Sequence, residues 1–182
     1  MIPPSATQPG DPDRQTRLAR MMRVDHAGEY GAERIYAGQL AVLGRGEKAE
    51  LLRHMLEQET LHKQTFEGLL ATRRVRPTAL LPLWHVAGFA LGAITAAIGE
   101  RAAMACTVAV EEAIDEHYAA QAASLDDEEG ELRQTIETFR AEELEHRDIG
   151  LANEAELAPA YRTMSRAIKL GCRVAIRASE IL

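Results

Sequence analysis

The tetrapeptides ETLH at residues 59–62 and ELEH at residues 143–146 each place a glutamate three positions before a histidine. Both lie in long segments whose apolar residues recur every three or four positions, which is the period of an α-helix. A single Glu-x-x-His spacing arises easily by chance in a chain rich in glutamate, so the spacing alone decides nothing. What matters is the helix face on which each pair lies.

The apolar stripe of each segment passes through its Glu-x-x-His pair. A 3.6-residue period carries the first stripe through Glu59 and His62 and the second through Glu143 and His146, while the adjacent Glu142 falls on another face. A buried carboxylate is costly unless it is paired, hydrogen-bonded or bound to a metal. These inward-facing groups therefore need an explanation that a solvated run of charges does not.

Two other long segments each contribute one more inward carboxylate. The stripe through RVDHAGEYGAERIYAGQL selects Glu29, and the stripe through MACTVAVEEAIDEHYAAQ selects Glu111. Glu29 lies 30 residues before Glu59, and Glu111 lies 32 residues before Glu143. The pattern predicts two copies of one helical hairpin, each with a lone glutamate followed by Glu-x-x-His.

Carboxylate and imidazole groups suit iron or manganese, and a carboxylate that bridges two ions reduces their mutual repulsion. Four carboxylates also balance the charge of two divalent ions. Four glutamates and two histidines on four helices are the ligands of di-iron and di-manganese carboxylate proteins. The alternative is a set of buried groups satisfied by one another or by water. We expect a metal site made of Glu29, Glu59, His62, Glu111, Glu143 and His146.

Glycine, proline and serine punctuate the chain between helical patterns, which predicts an all-α protein. We expect a first helix from near Asp13 to Leu43 and a second from Glu47 to Thr72. An apolar segment at 79–98 follows, and then a helix to about Ala123. The last two helices are expected from an N-cap at Ser124 to about Asn153 and from Pro159 to the end. A long crossover through the apolar segment is the connectivity of a ferritin-like four-helix bundle. We expect one domain over residues 13–182, with residues 1–12 as a flexible tail unlike a signal peptide.

Composition limits the possible functions. A formal charge of −7 argues against nucleic acid as a partner, and an apolar content of 46% excludes a disordered chain. Cys106 and Cys172 lie in apolar helical patterns without the spacing of a zinc site or a disulfide framework, so we interpret them as small core residues.

The apolar segment 79–98 is long enough to reach the threshold for crossing a bilayer. Pro82, Gly88 and Gly92 weaken a simple spanning helix, and the alternatives are a single membrane span, a buried core helix and a membrane-docking element. The C-terminal helix favours docking, because its basic residues recur beside apolar ones in a pattern that suits anionic lipid. The basic residues are Arg162, Arg166, Lys169, Arg173 and Arg177.

Longer stretches resemble a known family. RVDHAGEYGAERIYAGQLAVLGR, RVRPTALLPLWHVAGFALGA, AMACTVAVEEAIDEHY, FRAEELEHRDIGL and ELAPAY are similar to the demethoxyubiquinone hydroxylases of ubiquinone biosynthesis, from about residue 20 to the end. The resemblance implies a di-iron monooxygenase that uses O2 to hydroxylate demethoxyubiquinol, a 2-polyprenyl-3-methyl-6-methoxy-1,4-benzoquinol. No catalytic residue is expected beyond the di-iron centre.

The resemblance also implies two iron ions per chain, with Glu59 and Glu143 as bridging ligands. It suggests NADH as a source of electrons and other ubiquinone-biosynthesis proteins as partners. It further implies a peripheral membrane protein on the cytoplasmic face of a bacterial inner membrane. The rival functions are a ferritin-like ferroxidase, a manganese catalase and a metal-free membrane scaffold.

Several polar residues lie near the predicted ligands along the helices. Asp25 and Asp115, each one turn from a lone glutamate, are candidates to orient the ligand histidines, with surface ion pairs as the alternative. Tyr30, Tyr36 and Tyr118 are candidates for hydrogen bonding or substrate contact, with an ordinary core role as the alternative.

Overall fold

A computed structural model describes residues 12–182, and the all-α prediction is confirmed there. The predicted tail lies outside the described residues except for Pro12, and the single domain stays a prediction. The six α-helices of the described part are α1 Arg14–Leu43, α2 Glu47–Thr72, α3 Leu81–Ile98, α4 Glu100–Ser124, α5 Gly130–Ala152 and α6 Tyr161–Ile181.

Helices α1, α2, α4 and α5 form the bundle, and α3 and α6 pack outside it against α1 and α4. Short connections make hairpins of α1 with α2 and of α4 with α5, while α3 carries the crossover between them. Two buried apolar clusters occupy the ends of the bundle, one containing Met22, Phe66 and Leu132 and the other Leu52 and Met104. The predicted ligands fall between these clusters along every bundle helix.

The boundaries of α1 and α2 agree with the prediction. Asp13 caps α1, because its side chain accepts a hydrogen bond from the backbone N–H of Thr16. The predicted N-cap at Ser124 is wrong: Ser124 ends α4, and its hydroxyl donates to the carbonyl of Gln121. Leu125 is extended and buried in an apolar cluster, so the chain turns there before α5 begins at Gly130.

The last helix also begins later than predicted. It starts at Tyr161 rather than at Pro159, after Ala160 has adopted a left-handed conformation with φ of 53°. A residue with positive φ does not continue a right-handed helix, so the turn there sets the start of α6.

Helix α3 lies against α1 with almost no space between the two backbones. A Cβ atom at Gly92 would lie 1.9 Å from the carbonyl oxygen of Ile35, and one at Gly38 would lie 2.2 Å from that of Phe89. The opposite face of α3 is exposed, with Val86 at 66% and Ile94 at 61%.

In the described part of the chain, α3 is the one helix long and apolar enough to cross a membrane. Only 22% of this helix is buried. The alternative of a buried core helix is therefore wrong, because glycine contacts cover one face and leave the other open.

We expect Gly92→Ala to lower the free energy of unfolding by about 1–3 kcal/mol, because the added methyl group forces α3 away from α1. Gly68→Ala is the matched control. Gly68 is an exposed helical glycine in α2 with nothing near its missing Cβ, so alanine there should raise stability by roughly 0.5–1 kcal/mol. Chemical denaturation measures both changes, and equal stability of Gly92→Ala and wild type would contradict the close packing.

Candidate metal centre

The six predicted ligands lie together in the middle of the bundle, and each is at most 1% exposed. They form two overlapping groups, within which one ligand atom from each residue lies within 4.8 Å of the others. The His62 group consists of Glu29, Glu59, His62 and Glu143, and the His146 group consists of Glu59, Glu111, Glu143 and His146. Glu59 and Glu143 belong to both groups, as bridging residues would.

Both histidines direct Nδ1 toward the carboxylates. The Nδ1 atom of His62 lies 3.2 Å from Glu143 Oε1 and 3.4 Å from Glu29 Oε2. The Nδ1 atom of His146 lies 3.2 Å from Glu59 Oε1 and 3.3 Å from Glu143 Oε2. The i, i+3 spacing of each Glu-x-x-His pair puts both side chains on one helix face, so two short motifs fill the centre.

The other imidazole nitrogen of each histidine contacts the facing motif. His62 Nε2 lies 2.5 Å from Glu142 Oε2, and His146 Nε2 lies 2.9 Å from Gln58 Oε1. Glu142 and Gln58 each directly precede a shared glutamate, so each motif holds the histidine of the other. An Nε2–H donor leaves the Nδ1 lone pair free to face a metal ion.

Two buried tyrosines hold the lone glutamates. Tyr36 on α1 donates to Glu111 Oε1 at 2.7 Å, and Tyr118 on α4 donates to Glu29 Oε1. Each tyrosine lies seven positions after the lone glutamate of its own helix. The reciprocal bonds show that α1 and α4 run antiparallel. Each bond engages one oxygen of a lone glutamate and leaves its other oxygen without a tyrosine partner.

The fit of these residues to a metal follows from atoms that lack a partner. Within the part of the chain that the structure describes, five carboxylate oxygens and one ring nitrogen of the six residues are buried without a hydrogen bond. They are Glu29 Oε2, Glu59 Oε1 and Oε2, Glu111 Oε2, Glu143 Oε2 and His146 Nδ1. Unpaired buried acceptors are costly, and cations held by the two groups would satisfy them. The structure therefore has buried Glu/His clusters able to bind a metal.

The pKa values follow from burial and crowding. Burial, and then the charges of Glu143, Glu29 and Glu111, raise the pKa of Glu59 well above its ordinary value. Burial also raises the pKa of Glu29 and of Glu111. Without a cation, burial first and mutual repulsion second favour the protonated form of these carboxylates.

Contacts between histidines and carboxylates oppose the effect of burial on two of the pKa values. Burial alone would lower the pKa of His62, but the hydrogen bond with Glu143 and the nearby carboxylate of Glu29 outweigh burial and raise that pKa to about 11. Burial alone would raise the pKa of Glu143, yet the imidazoles of His146 and His62, whose Nδ1 atoms lie 3.3 and 3.2 Å from its oxygens, hold it at about 2. Glu143 is thus the carboxylate that stays ionised between the two imidazoles.

The other predicted site residues have different partners. Asp25 accepts a hydrogen bond from Gln121 Nε2 at 2.6 Å, and its Oδ1 lies 3.4 Å from His117 Nε2. Asp115 pairs with Arg140 at 2.6 Å. The idea that these aspartates orient the ligand histidines is therefore wrong, since Nε2 of each ligand histidine points across the bundle to the facing motif.

Tyr30 lies outside the cluster, and its hydroxyl lies 2.7 Å from His85 Nδ1 on α3. Sequence reasoning missed Glu142 and Gln58. The available signal was their shared position, directly before the glutamate of each Glu-x-x-His pair in QETLH and EELEH.

A four-helix bundle with a buried pair of Glu-x-x-His motifs and two lone glutamates defines a ferritin-like carboxylate protein. Comparison with known families narrows this class. The family model described as "Ubiquinone biosynthesis protein COQ7" matches residues 16–179, and the chain belongs to that family.

Curated relatives agree with this membership. The chain is 61% identical over 173 residues to the 3-demethoxyubiquinol 3-hydroxylase of Rhodospirillum rubrum, covering 94% of this chain and 82% of the relative. It is 58% identical over 167 residues to the human NADPH-dependent 3-demethoxyubiquinone 3-hydroxylase, mitochondrial, covering 90% and 77%. It is 42% identical over 180 residues to the 5-demethoxyubiquinone hydroxylase, mitochondrial, of Saccharomyces cerevisiae, covering 90% and 77%.

We expect the metal-free protein to lose stability as the pH rises from about 5 toward the His62 pKa of about 11. The folded state binds more protons than the unfolded chain in this range, because the pKa values of Glu59, Glu111 and His62 are raised. Thermal unfolding at a series of pH values measures the slope. Glu59→Gln should flatten it, whereas Glu57→Gln, exposed on the same helix, should leave it unchanged. Equal slopes for all three proteins would contradict the raised pKa values.

Proposed function

We propose that this chain is a di-iron monooxygenase that hydroxylates demethoxyubiquinol in ubiquinone biosynthesis. The observation that carries the proposal is the buried cluster of six ligands with unpaired acceptors, in a member of a family of ubiquinone biosynthesis proteins. The relatives named above are hydroxylases of demethoxyubiquinol or demethoxyubiquinone.

The residues of the centre take distinct roles in this proposal. Glu59 and Glu143, which belong to both groups, would bridge two iron ions, and His62 and His146 would each bind one through Nδ1. Bound iron would supply the activation of O2 that protein side chains do not provide. Tyr36 and Tyr118 hold the lone glutamates, which fixes the side chains that complete each site.

An apolar cavity next to the centre suits the substrate. Its volume is about 450 Å³, and α1, α3, α4 and α6 line it. Gly28 and Val110 in its wall directly precede Glu29 and Glu111, so the wall of the cavity adjoins a ligand along both helices. We therefore assign the cavity to the benzoquinol and the start of its polyprenyl tail.

The source of electrons is a reduced nicotinamide nucleotide in this proposal. The resemblance suggests NADH, whereas the names of the human enzyme and several other relatives specify NADPH. A comparison of the two nucleotides in the same turnover assay decides between them.

We expect this chain to restore ubiquinone in a strain that lacks its own demethoxyubiquinol hydroxylase. Labelled oxygen gas, and not labelled water, should supply the new ring oxygen. Glu29→Ala should abolish hydroxylation, because it removes one side chain of the His62 group. Mass spectrometry of the extracted quinones measures both the product and its label.

Iron analysis of the purified proteins accompanies that assay. Wild type should bind two iron ions per chain after anaerobic loading, and Glu59→Ala should lose both because Glu59 belongs to both groups. Glu57→Ala, exposed on the same helix, is the control and should keep iron and activity. Persistent demethoxyubiquinone with wild-type protein present would refute the proposed reaction.

The rival functions fit less well. A ferroxidase or a manganese catalase has no use for an apolar cavity beside its metals or for an exposed apolar helix. A metal-free scaffold has no need for six buried ionisable groups, whose burial is costly without a cation. Family membership and the names of the relatives also point to the hydroxylase.

Membrane association belongs to the same proposal, because a substrate with a polyprenyl tail resides in the bilayer. Helix α6 exposes Leu170 and Val174, and α3 exposes Val86 and Ile94. The two helices are neighbours, since the indole nitrogen of Trp84 on α3 donates to the hydroxyl of Ser179 on α6. We assign this surface to a peripheral contact with anionic lipid.

The basic stripe of α6 is only partly free for lipid. Lys169 pairs with Glu112, and Arg173 pairs with Glu116 at 3.0 Å, so two of its five members are bound to α4. Across residues 12–182, no ion pair engages Arg162, Arg166 or Arg177. Each basic residue near an anionic surface contributes roughly 1 kcal/mol, screened by salt.

We expect the protein to float with vesicles that contain phosphatidylglycerol and to dissociate as salt increases. The double substitution Val86→Glu with Val174→Glu should reduce the bound fraction at least about tenfold, since both side chains lie on the exposed apolar surface. Leu61→Glu is the matched control, because Leu61 is 61% exposed on α2, outside this surface. Flotation measures all three proteins, and equal loss in the control would contradict a specific docking surface.

A further inference from the structure

The two halves of the centre repeat each other closely. Each half supplies a lone glutamate, a tyrosine seven positions later, and a Glu-x-x-His pair on the next bundle helix. Each tyrosine bonds the lone glutamate of the other half, and each residue before a Glu-x-x-His pair bonds the histidine of the other half. Two metal positions built in this way would be equivalent if all paired residues were identical.

The residues that contact the histidines break this equivalence. His62 Nε2 faces the carboxylate of Glu142, whereas His146 Nε2 faces the amide oxygen of Gln58. A carboxylate and an amide have similar shape, so the halves differ by one full charge at matched positions. The side chain of Glu142 is 36% exposed and reaches inward to the buried side chain of His62.

This difference changes the donor strength of the two imidazoles. An Nε2–H bond to a carboxylate draws the proton away from the ring and makes Nδ1 a stronger ligand than a bond to a neutral amide does. The carboxylate also adds a negative charge near one ion, which favours binding of a cation there. Phe139 stacks on the His62 ring with centroids 4.0 Å apart and keeps that ring in its orientation.

We propose that Glu142 is a positioning residue that makes the metal position of the His62 group the tighter of the two. Gln58 leaves the position of the His146 group weaker, so the two ions enter in a fixed order, first beside His62 and then beside His146. This inference rests on the proposed metal centre. It adds a difference in affinity between the two metal positions, which the six ligands alone do not imply.

Stepwise binding of Co²⁺ to the whole metal-free protein, in competition with a chelator, tests the order. Wild type should show two steps of different affinity. Glu142→Gln should weaken the tighter step about tenfold or more, and Gln58→Glu should strengthen the weaker step. The double variant with Glu142→Gln and Gln58→Glu should again show two unequal steps, with the position beside His146 filled before the position beside His62.

Proton NMR identifies the position that fills first. The Nε2–H resonance shifted by the first equivalent of Co²⁺ should move in Glu142→Gln and stay in place in Gln58→Glu. Glu145→Gln is the matched control, since it removes the same charge from an exposed position on the same helix. Far-ultraviolet circular dichroism of the metal-free variants should show unchanged helix content.

The outcomes separate the two proposals. If wild type binds two ions and Glu142→Gln matches Glu145→Gln in both steps, the role of Glu142 is refuted while the metal centre stands. If the first resonance instead responds to Gln58→Glu, the order is the reverse of the one proposed and the inference fails. If wild type binds no Co²⁺, the proposed metal centre itself fails.

Discussion

The removal of four carboxylates from water at the centre of the bundle is the constraint on which the rest of the structure depends. Glu29, Glu59, Glu111 and Glu143 are each at most 1% exposed, and the imidazoles of His62 and His146 lie among them. Two imidazoles cannot balance the charge of four carboxylates, and a buried charge without compensation costs several kcal/mol. The bundle must therefore take up either protons or cations, and its stability depends on which of them it holds.

The helical period made much of this centre predictable. A 3.6-residue stripe is a local property of one helix, so it identified Glu29 and Glu111 as inward-facing without any knowledge of their neighbours. The contacts between helices were not predictable in this way. Glu142 lies beside the stripe of α5, and its contact with His62 depends on how α2 and α5 face each other.

The ends of the helices were likewise predictable only where an interaction within one turn sets them. Asp13 caps α1 because a capping side chain acts within one turn, which a sequence pattern captures. Ser124 offered the same local signal, but the burial of Leu125 in an apolar cluster decided where the chain turns. The contact of α3 with α1 likewise depends on pairs of glycines distant in sequence, and only the folded chain shows which backbone each one meets.

Helix α1 contacts both the metal centre and the apolar helix α3, and the proposed function needs both. Its inner side carries Glu29 into the metal centre, and its outer side receives the backbone of α3 at Ile35 and Gly38. The cavity lies where these sides meet, with Gly28 in its wall. A side chain larger than glycine at Gly92 would separate α3 from α1 and change both the cavity and the exposed apolar surface. The close packing of two backbones thus sets the distance between the exposed apolar face of α3 and the buried carboxylates, and both helices border the apolar cavity.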